Sequence, residues 1–462
     1  MQNTRARAIL LMYMGKLHRF HFSERLILHT YFIGLIFLGT VLLGLPISWD
    51  GTGTVTHVNP VDAFFTAVSA TCVTGLITLD TALWSRFGQF VILVLIQAGG
   101  LGIVTFGMLY LVMPRVRISL KNSKLFQDSF TAEQMPRGRQ VISSILGTTF
   151  LVELVGAMLL TLGFFRAGTE KPVFEGIFHS VSAFCNAGFS LFTDGMVPFR
   201  SDLLVNITLM GLIIIGGVGF LVIRDLGRKF RDWRRPLLFH TRIMLMAVPV
   251  FIIAGFSGYL LLDNTAVFST LPGGERLLAA LFQSVTTRTA GFNTVDQASL
   301  SMTSRWMTLV LMLIGGGSGS TAGGIKVTTA FILFIVLFRG VNERGDIKVL
   351  NRRIGSADVS KAAMFFLKAV SLLFLSILLL GIFEYSGTGR FSASEIVFEC
   401  VSALGTVGLS MGITSELSTG GKLVIAATMF AGRVGLFSLV IRTIRDRTET
   451  LIDYPKGEVL IG

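Results

Sequence analysis

Eight apolar stretches, each near the length of a bilayer crossing, restrict this chain more than any other feature. They cover residues 26–47, 88–113, 141–165, 203–223, 243–262, 306–338, 362–385 and 422–441. A helical crossing needs roughly 20 mainly apolar residues. With 52% hydrophobic and 15% charged residues over 462 positions, the chain is too apolar for a soluble protein of this size. The expected fold is an all-α polytopic membrane protein, and an even number of crossings puts both termini on one side.

The formal net charge of +13 could suggest nucleic acid, but its distribution points to a bilayer. Basic residues gather in every second loop: Arg5, Arg7, Lys16, Arg19 and Arg25; Arg115 to Arg139; Arg224 to Arg235; Arg339 to Arg353; and Arg442 to Arg447. This is the positive-inside pattern, with both termini cytoplasmic; no nucleic-acid partner is expected. The apolar run from Leu26 is span-length, so the N-terminus is read as a retained first helix rather than a cleavable signal. Cys72, Cys185 and Cys400 have no paired metal spacing and are expected to pack as small apolar residues.

Between paired spans, a shorter pattern occurs four times. A semi-apolar segment of about half a span (63–71, 174–184, 277–287, 396–403) leads into a glycine turn at Gly75, Gly188, Gly291 or Gly408. The half-span length predicts re-entrant pore helices. Asp62, Glu175, Glu275 and Glu395 stand at their starts, where carboxylates favour a helix N-terminus. A serine lies six residues before the glycine in copies one, two and four (Ser69, Ser182, Ser402). Leucine or phenylalanine follows it in all four (Leu76, Phe189, Phe292, Leu409). Each following span carries close glycines: Gly99 and Gly100, Gly216 and Gly217, Gly315 to Gly317, Gly432 and Gly435. The expectation is four pseudo-symmetric helix/pore-helix/helix repeats, eight spans plus four re-entrant helices, around one central pore.

Non-helical backbone inside a bilayer is tolerated only where protein buries it or water lines it. Four pore helices of like polarity would bring the partial negative charge of their C-termini to a common axis. Glycine reaches positive φ without steric cost, so the loops can turn carbonyls inward. A ring of carbonyls replaces the hydration shell of a cation. The candidate donors are Val73, Thr74, Gly75; Asn186, Ala187, Gly188; Thr289, Ala290, Gly291; and Thr406, Val407, Gly408. Asp80, Asp194, Asp296 and Glu416 downstream are read as acids of the outer mouth, against the alternative of ordinary solvated loop acids.

The sixth span is interrupted by IGGGSGSTAGGIK, residues 314–326. Each interior glycine costs about 1 kcal/mol relative to alanine, so unwinding is expected there. Close helix packing by small residues is the alternative; a phosphate loop is disfavoured because the GK[ST] ending is missing.

These loops, with FGQFVILVLIQAGGLG from Phe87, SAFCNAGFS from Ser182, TTRTAGFN from Thr286 and GTVGLSMGIT from Gly405, resemble the Trk/Ktr/HKT superfamily of potassium transporters over nearly the whole chain. The likeness is closest to the Ktr-type membrane subunit. That resemblance implies a pseudo-fourfold pore with one filter glycine per repeat. Glycine at all four places, where sodium-passing plant relatives have serine at the first, implies a preference for potassium. It further implies an intramembrane gate formed by Gly315, Gly316, Gly317, Ser318, Gly319, Ser320, Thr321, Ala322, Gly323 and Gly324, with Arg433 helping to close the pore. A structural ion pair is the other reading of Arg433. The resemblance also implies a homodimer in the lipid bilayer of a bacterial cell membrane, controlled by an octameric cytoplasmic ring of nucleotide-binding regulatory subunits. The transported ion is potassium, with sodium dependence left open and no cofactor expected.

The organisation expected is a cytoplasmic segment (1–25), pore repeat 1 (26–113), connector and repeat 2 (114–223), connector and repeat 3 with the gating loop (224–338), connector and repeat 4 (339–441), and a cytoplasmic tail (442–462). Arg288 is read as a brace within the third loop, Lys326 as a snorkelling end residue, and His179 and Glu399 as packing and capping groups. Glu153 is a buried partner for a polar group or a lipid-shielded acid. Two rivals remain: a proton- or sodium-coupled symporter of the same fold, and a membrane enzyme. Inverted repeats and a midplane acid or histidine would favour a coupled carrier; these repeats run in parallel, and no acid recurs mid-span. Scattered histidines argue against catalysis.

Overall fold

Helices follow the apolar runs closely in the computed structural model, which describes residues 24–50, 57–112, 138–263, 266–384 and 390–435. The N-terminal segment, most of the first connector and the C-terminal tail, including the basic residues assigned there other than Arg25 and Arg139, lie outside the described residues.

In chain order the helices are α1 (Glu24–Leu43), α2 (Pro60–Cys72), α3 (Arg86–Val112), α4 (Gly138–Arg166), α5 (Pro172–Phe184), α6 (Leu203–Val218) and α7 (Phe220–Arg231). They continue as α8 (Phe239–Leu262), α9 (Gly273–Thr286), α10 (Met302–Leu313), α11 (Val327–Arg339), α12 (Ser356–Glu384), α13 (Ala393–Gly405) and α14 (Thr419–Phe430). Five of the described helices are long and apolar enough to cross a membrane, in α1, α3, α4, α8 and α12.

The four short helices α2, α5, α9 and α13 have 13, 13, 14 and 13 residues. They begin a few residues earlier than the apolar pattern indicates, because proline fits the first helical turn of α2 and α5 and a Ser392–Glu395 capping box closes the start of α13. Their C-terminal halves are buried except for the partly exposed Val181 and Leu281.

Three local features depart from the apolar pattern. The run 203–223 is not one helix: it bends by 101° where Gly219 takes φ 102°. The run 306–338 breaks into α10 and α11 around 314–326, as its composition requires. In the connector after α11, strands β1 (Ile347–Val349) and β2 (Arg352–Ile354) form an antiparallel hairpin. Leu350 and Asn351 both have positive φ, the geometry of a two-residue hairpin turn.

The span glycines now acquire a physical reason. A Cβ at Gly99 would lie 1.9 Å from the Thr71 carbonyl oxygen, at Gly216 1.9 Å from that of Phe184, and at Gly432 2.1 Å from that of Leu404. Each carbonyl belongs to the residue four before its loop glycine. Only a residue without a side chain lets the following helical segment press against the end of α2, α5 or α13.

Candidate ion site

After each of α2, α5, α9 and α13 comes a residue with left-handed backbone two positions before the glycine: Val73 (φ 58°), Asn186 (φ 59°), Thr289 (φ 66°) and Thr406 (φ 49°). Such a conformation is rare for β-branched residues and costs on the order of 1–3 kcal/mol, so it persists only where the surroundings enforce it. Here the enforcement is visible. Thr74 N–H donates to the Ser69 carbonyl (2.8 Å) and Gly75 N–H to the Ser69 hydroxyl (3.1 Å). Val407 and Gly408 repeat both bonds on Ser402, at 2.8 and 3.1 Å. In copy two Ser182 instead donates to the Phe189 carbonyl (2.9 Å), and in copy three Thr286 donates to that of Phe292 (2.6 Å). The recurring serine is therefore a loop tie. Leu76, Phe189, Phe292 and Leu409 are all buried and anchor the other side.

The four glycines meet in a closed cycle. A Cβ built on Gly75 would come within 2.3 Å of the Ala187 carbonyl oxygen, on Gly188 within 2.8 Å of that of Ala290, on Gly291 within 2.6 Å of that of Val407, and on Gly408 within 2.2 Å of that of Thr74. Gly75, Gly188, Gly291 and Gly408 themselves have φ of 94°, 71°, 78° and 93°. Four loops separated by more than a hundred residues are thus side by side, with one carbonyl between each successive pair. All twelve residues singled out for the ring belong to these four loops.

Directly against this ring lies the 314–326 loop. Gly315 is next to the Thr289 methyl and Gly323 next to the Thr406 hydroxyl. The loop is pinned on several sides. Gly315 N–H donates to Ile325 O (2.9 Å), Gly317 N–H to Gly217 O (2.7 Å) and Thr321 N–H to Gly216 O (3.3 Å). Phe220 N–H donates to Gly319 O (3.1 Å). The Thr321 hydroxyl donates toward the carbonyls of Phe184 and Gly216, both at 3.0 Å. Arg433, buried in a π-helical turn that follows α14, donates through Nη1 to the Thr321 carbonyl. Among the described residues it makes no ion pair, which leaves the contact with the loop as its observed role.

Several readings sharpen. Arg288 braces the loop rather than the filter: Nη1 donates to Ile314 O (3.3 Å), and the guanidinium sits over the Phe251 ring at 4.9 Å. Lys326 folds back onto the Ala322 carbonyl (2.7 Å). Glu153 accepts from Gln97 (3.0 Å), whose own oxygen accepts from the Cys185 thiol (3.3 Å). His179 Nε2 accepts from Leu191 N–H (3.3 Å) and lies 3.1 Å from the Ser190 hydroxyl. Glu399 accepts from Ser410 (3.0 Å) and from Thr414. His179 and Glu399 each stand nine residues before their glycine and contact the serine two residues after it, a pairing the sequence pattern left unnoticed. Glu416, one of the outer acids, is tied to Arg390 at 3.0 Å. Among the described residues no three His, Cys, Asp or Glu side chains form a metal cluster.

The model of the cation transport protein family TrkH matches residues 2–450. The chain belongs to that family. Ktr system potassium uptake protein B of Vibrio alginolyticus is 36% identical over 452 residues, 97% of each chain. The potassium/sodium uptake protein NtpJ of Enterococcus hirae is 37% identical over 441 residues, 93% of this chain and 95% of that one. Among solved structures, the potassium transporter TrkH of Vibrio parahaemolyticus shares the fold with a TM-score of 0.66. It covers 92% of this chain and 86% of its own at 20% identity. As a TrkH-family member the chain is a membrane cation transport protein and not an enzyme.

Proposed function

We propose that this chain is the membrane subunit of a bacterial potassium uptake system, passing potassium through the ring of carbonyls from residues 73–75, 186–188, 289–291 and 406–408. The closed cycle of the four glycines carries this reading, because it delivers four backbone carbonyls to one place without any charged side chain. The printed names of the Vibrio alginolyticus and Enterococcus hirae relatives support potassium as the ion.

The accompanying topology has eight spans and four re-entrant helices, with both termini cytoplasmic and the six segments bounded as the sequence indicates. Asp80, Asp194, Asp296 and Glu416 stand at the outer mouth. The 314–326 loop obstructs the path below the ring, and Arg433 holds it there. The chain works as a homodimer with a cytoplasmic ring of nucleotide-binding regulatory subunits, as the resemblance to Ktr systems implies. A sodium-influenced mode is the second reading, favoured by the potassium/sodium name of the Enterococcus hirae relative.

The test is rubidium and sodium uptake into liposomes holding the purified protein, Gly75→Ser or Gly291→Ser. Serine would face both positive φ and a backbone oxygen closer than 3 Å. Selectivity is expected to fall by about ten-fold, the equivalent of 1.4 kcal/mol. Unchanged selectivity in both variants would remove the filter assignment. Adding sodium to the rubidium assay separates the two readings.

A further inference from the structure

Helix α7 is attached to the gating loop at one end and carries a basic, aromatic-tipped face at the other. Its first residue, Phe220, donates to Gly319 O. Gly216 and Gly217, at the end of α6, accept from Thr321 and Gly317. Any displacement of α7 therefore bears on the loop through a hydrogen-bonded stretch of a few residues.

The faces of α7 are unlike. Phe220 and Val222 are buried, and Val222 and partly buried Leu226 pack beside Met244, Ala247 and Val327. Arg224, Arg228 and Arg231, spaced i, i+4 and i+7, share the face that Phe220 heads, roughly opposite Val222 and Leu226. Lys229, on the opposite side of the helix, donates to the Arg235 carbonyl (2.8 Å), and Arg234 and Arg235 follow the helix end. Arg228 and Arg235 are close enough to repel the Arg224 charge. Of the two carboxylates in the stretch, Asp225 is buried and accepts from Leu238 N–H (2.9 Å), while Asp232 accepts from Arg234 N–H (3.2 Å). Among the described residues none of these six cations is ion-paired. Phe230 and Trp233, 78% and 74% exposed, stand beside them.

The placement selects between a protein and a membrane as the occupant. The 16 residues of α6 descend about 24 Å of a hydrocarbon core roughly 30 Å thick, and α7 then turns away by 101°. That puts α7 near the cytoplasmic boundary and roughly along its plane, the position of an interfacial amphipathic helix. Exposed Trp and Phe beside clustered arginines suit the headgroup zone, where each cation gains on the order of 1 kcal/mol from anionic lipid.

We propose that α7 docks on anionic lipid headgroups of the cytoplasmic leaflet, and that lipid held there steadies the 314–326 loop in the position it takes in this structure. The coupling half rests on reading that loop as the gate of a potassium pathway; the docking half does not.

The full-length protein is placed in phosphatidylcholine vesicles with and without phosphatidylglycerol, and two quantities are read. The first is quenching of Trp233 by brominated lipid, taken as the difference between the parent and W233F. Quenching is expected from brominated phosphatidylglycerol in preference to brominated phosphatidylcholine, and the preference is expected to vanish in Arg224→Gln/Arg228→Gln/Arg231→Gln and to return with lysine at the three positions. Soluble glycerol phosphate should leave the preference intact, since a headgroup and not a free phosphate is bound. Equal quenching by both lipids, competition by glycerol phosphate, or no quenching at all would overturn docking; the last outcome would point to a protein-binding face.

The second quantity is regulator-free rubidium flux. Phosphatidylglycerol is expected to lower it by about five-fold, the low end of allosteric coupling, in the parent but not in the glutamine variant. Preferential quenching with flux indifferent to phosphatidylglycerol would overturn the coupling. Absence of rubidium flux in every vesicle would count against the transport reading instead, with the quenching result still deciding docking.

Discussion

Arg433 donates a hydrogen bond to the carbonyl of Thr321, 112 residues earlier in the chain and on the opposite side of a repeat boundary. The same Thr321 holds Phe184 and Gly216 through its hydroxyl. One loop residue thus joins the second, third and fourth copies beneath the glycine ring.

Removing the charge should release the loop. A hydrogen bond to a charged group is worth about 1.5–3 kcal/mol, so Arg433→Gln is expected to raise regulator-free rubidium flux by about ten-fold or more. Partial deletion between Gly315 and Gly324 should do the same. The two changes combined should give less than the product of their effects, since both act on one closed state. If neither variant changes flux, the loop is not the gate.

Glycines at the helix seams should be intolerant of even one added carbon. Gly99→Ala, Gly216→Ala and Gly432→Ala each push a methyl into a backbone carbonyl that cannot move independently. Overpacking of this kind costs typically 1–3 kcal/mol. Gly147 and Gly211 also lie within helices, but an added Cβ meets nothing within 4 Å, and alanine there should be neutral or mildly stabilising. Thermal unfolding in detergent checks this: equal midpoints in the two groups would contradict the packing account.

The ring was legible in the sequence because its requirement is so restrictive. Positive φ against a neighbouring backbone admits only glycine, and four isolated copies at matched positions expose that demand. The break at 314–326 was legible for the same reason, through its excess of residues without bulk. What escaped was set by tertiary packing. Val73, Thr289 and Thr406 carry left-handed backbone that their β-branched side chains disfavour, so no propensity could announce it. The bend at Gly219 interrupts a run whose hydropathy reads as continuous, because the determining contact is Ser318 of another repeat. Likewise, the ties from His179 to Ser190 and from Glu399 to Ser410 use different residue types at equivalent positions, which hides them from pattern matching.

The starts of three of the four short helices are clasped in sequence, and this yields the last prediction. Arg86 lies over the Phe174 ring at 4.3 Å, Arg200 pairs with Glu275 at 3.3 Å, and Lys422 pairs with Asp62 at 2.7 Å. In each case a cation near the start of α3, α6 or α14 meets the first turn of α5, α9 or α2 respectively, the last joining the C-terminal end of the described chain to its beginning. At the third junction Arg305 turns back to the carbonyls of Leu300 and Ala298. The Lys422 and Asp62 side chains are only 15% and 12% exposed, against 52% and 58% for Arg390 and Glu416. Water and salt therefore screen the first pair far less. A double-mutant cycle of Asp62→Asn and Lys422→Met should give a coupling of about 1–3 kcal/mol that barely changes with salt. The cycle of Arg390→Met and Glu416→Gln should give about 0.2–1 kcal/mol and fade as salt rises. Equal couplings, or equal salt sensitivity, would mean that the Lys422–Asp62 contact does not close the ring of copies.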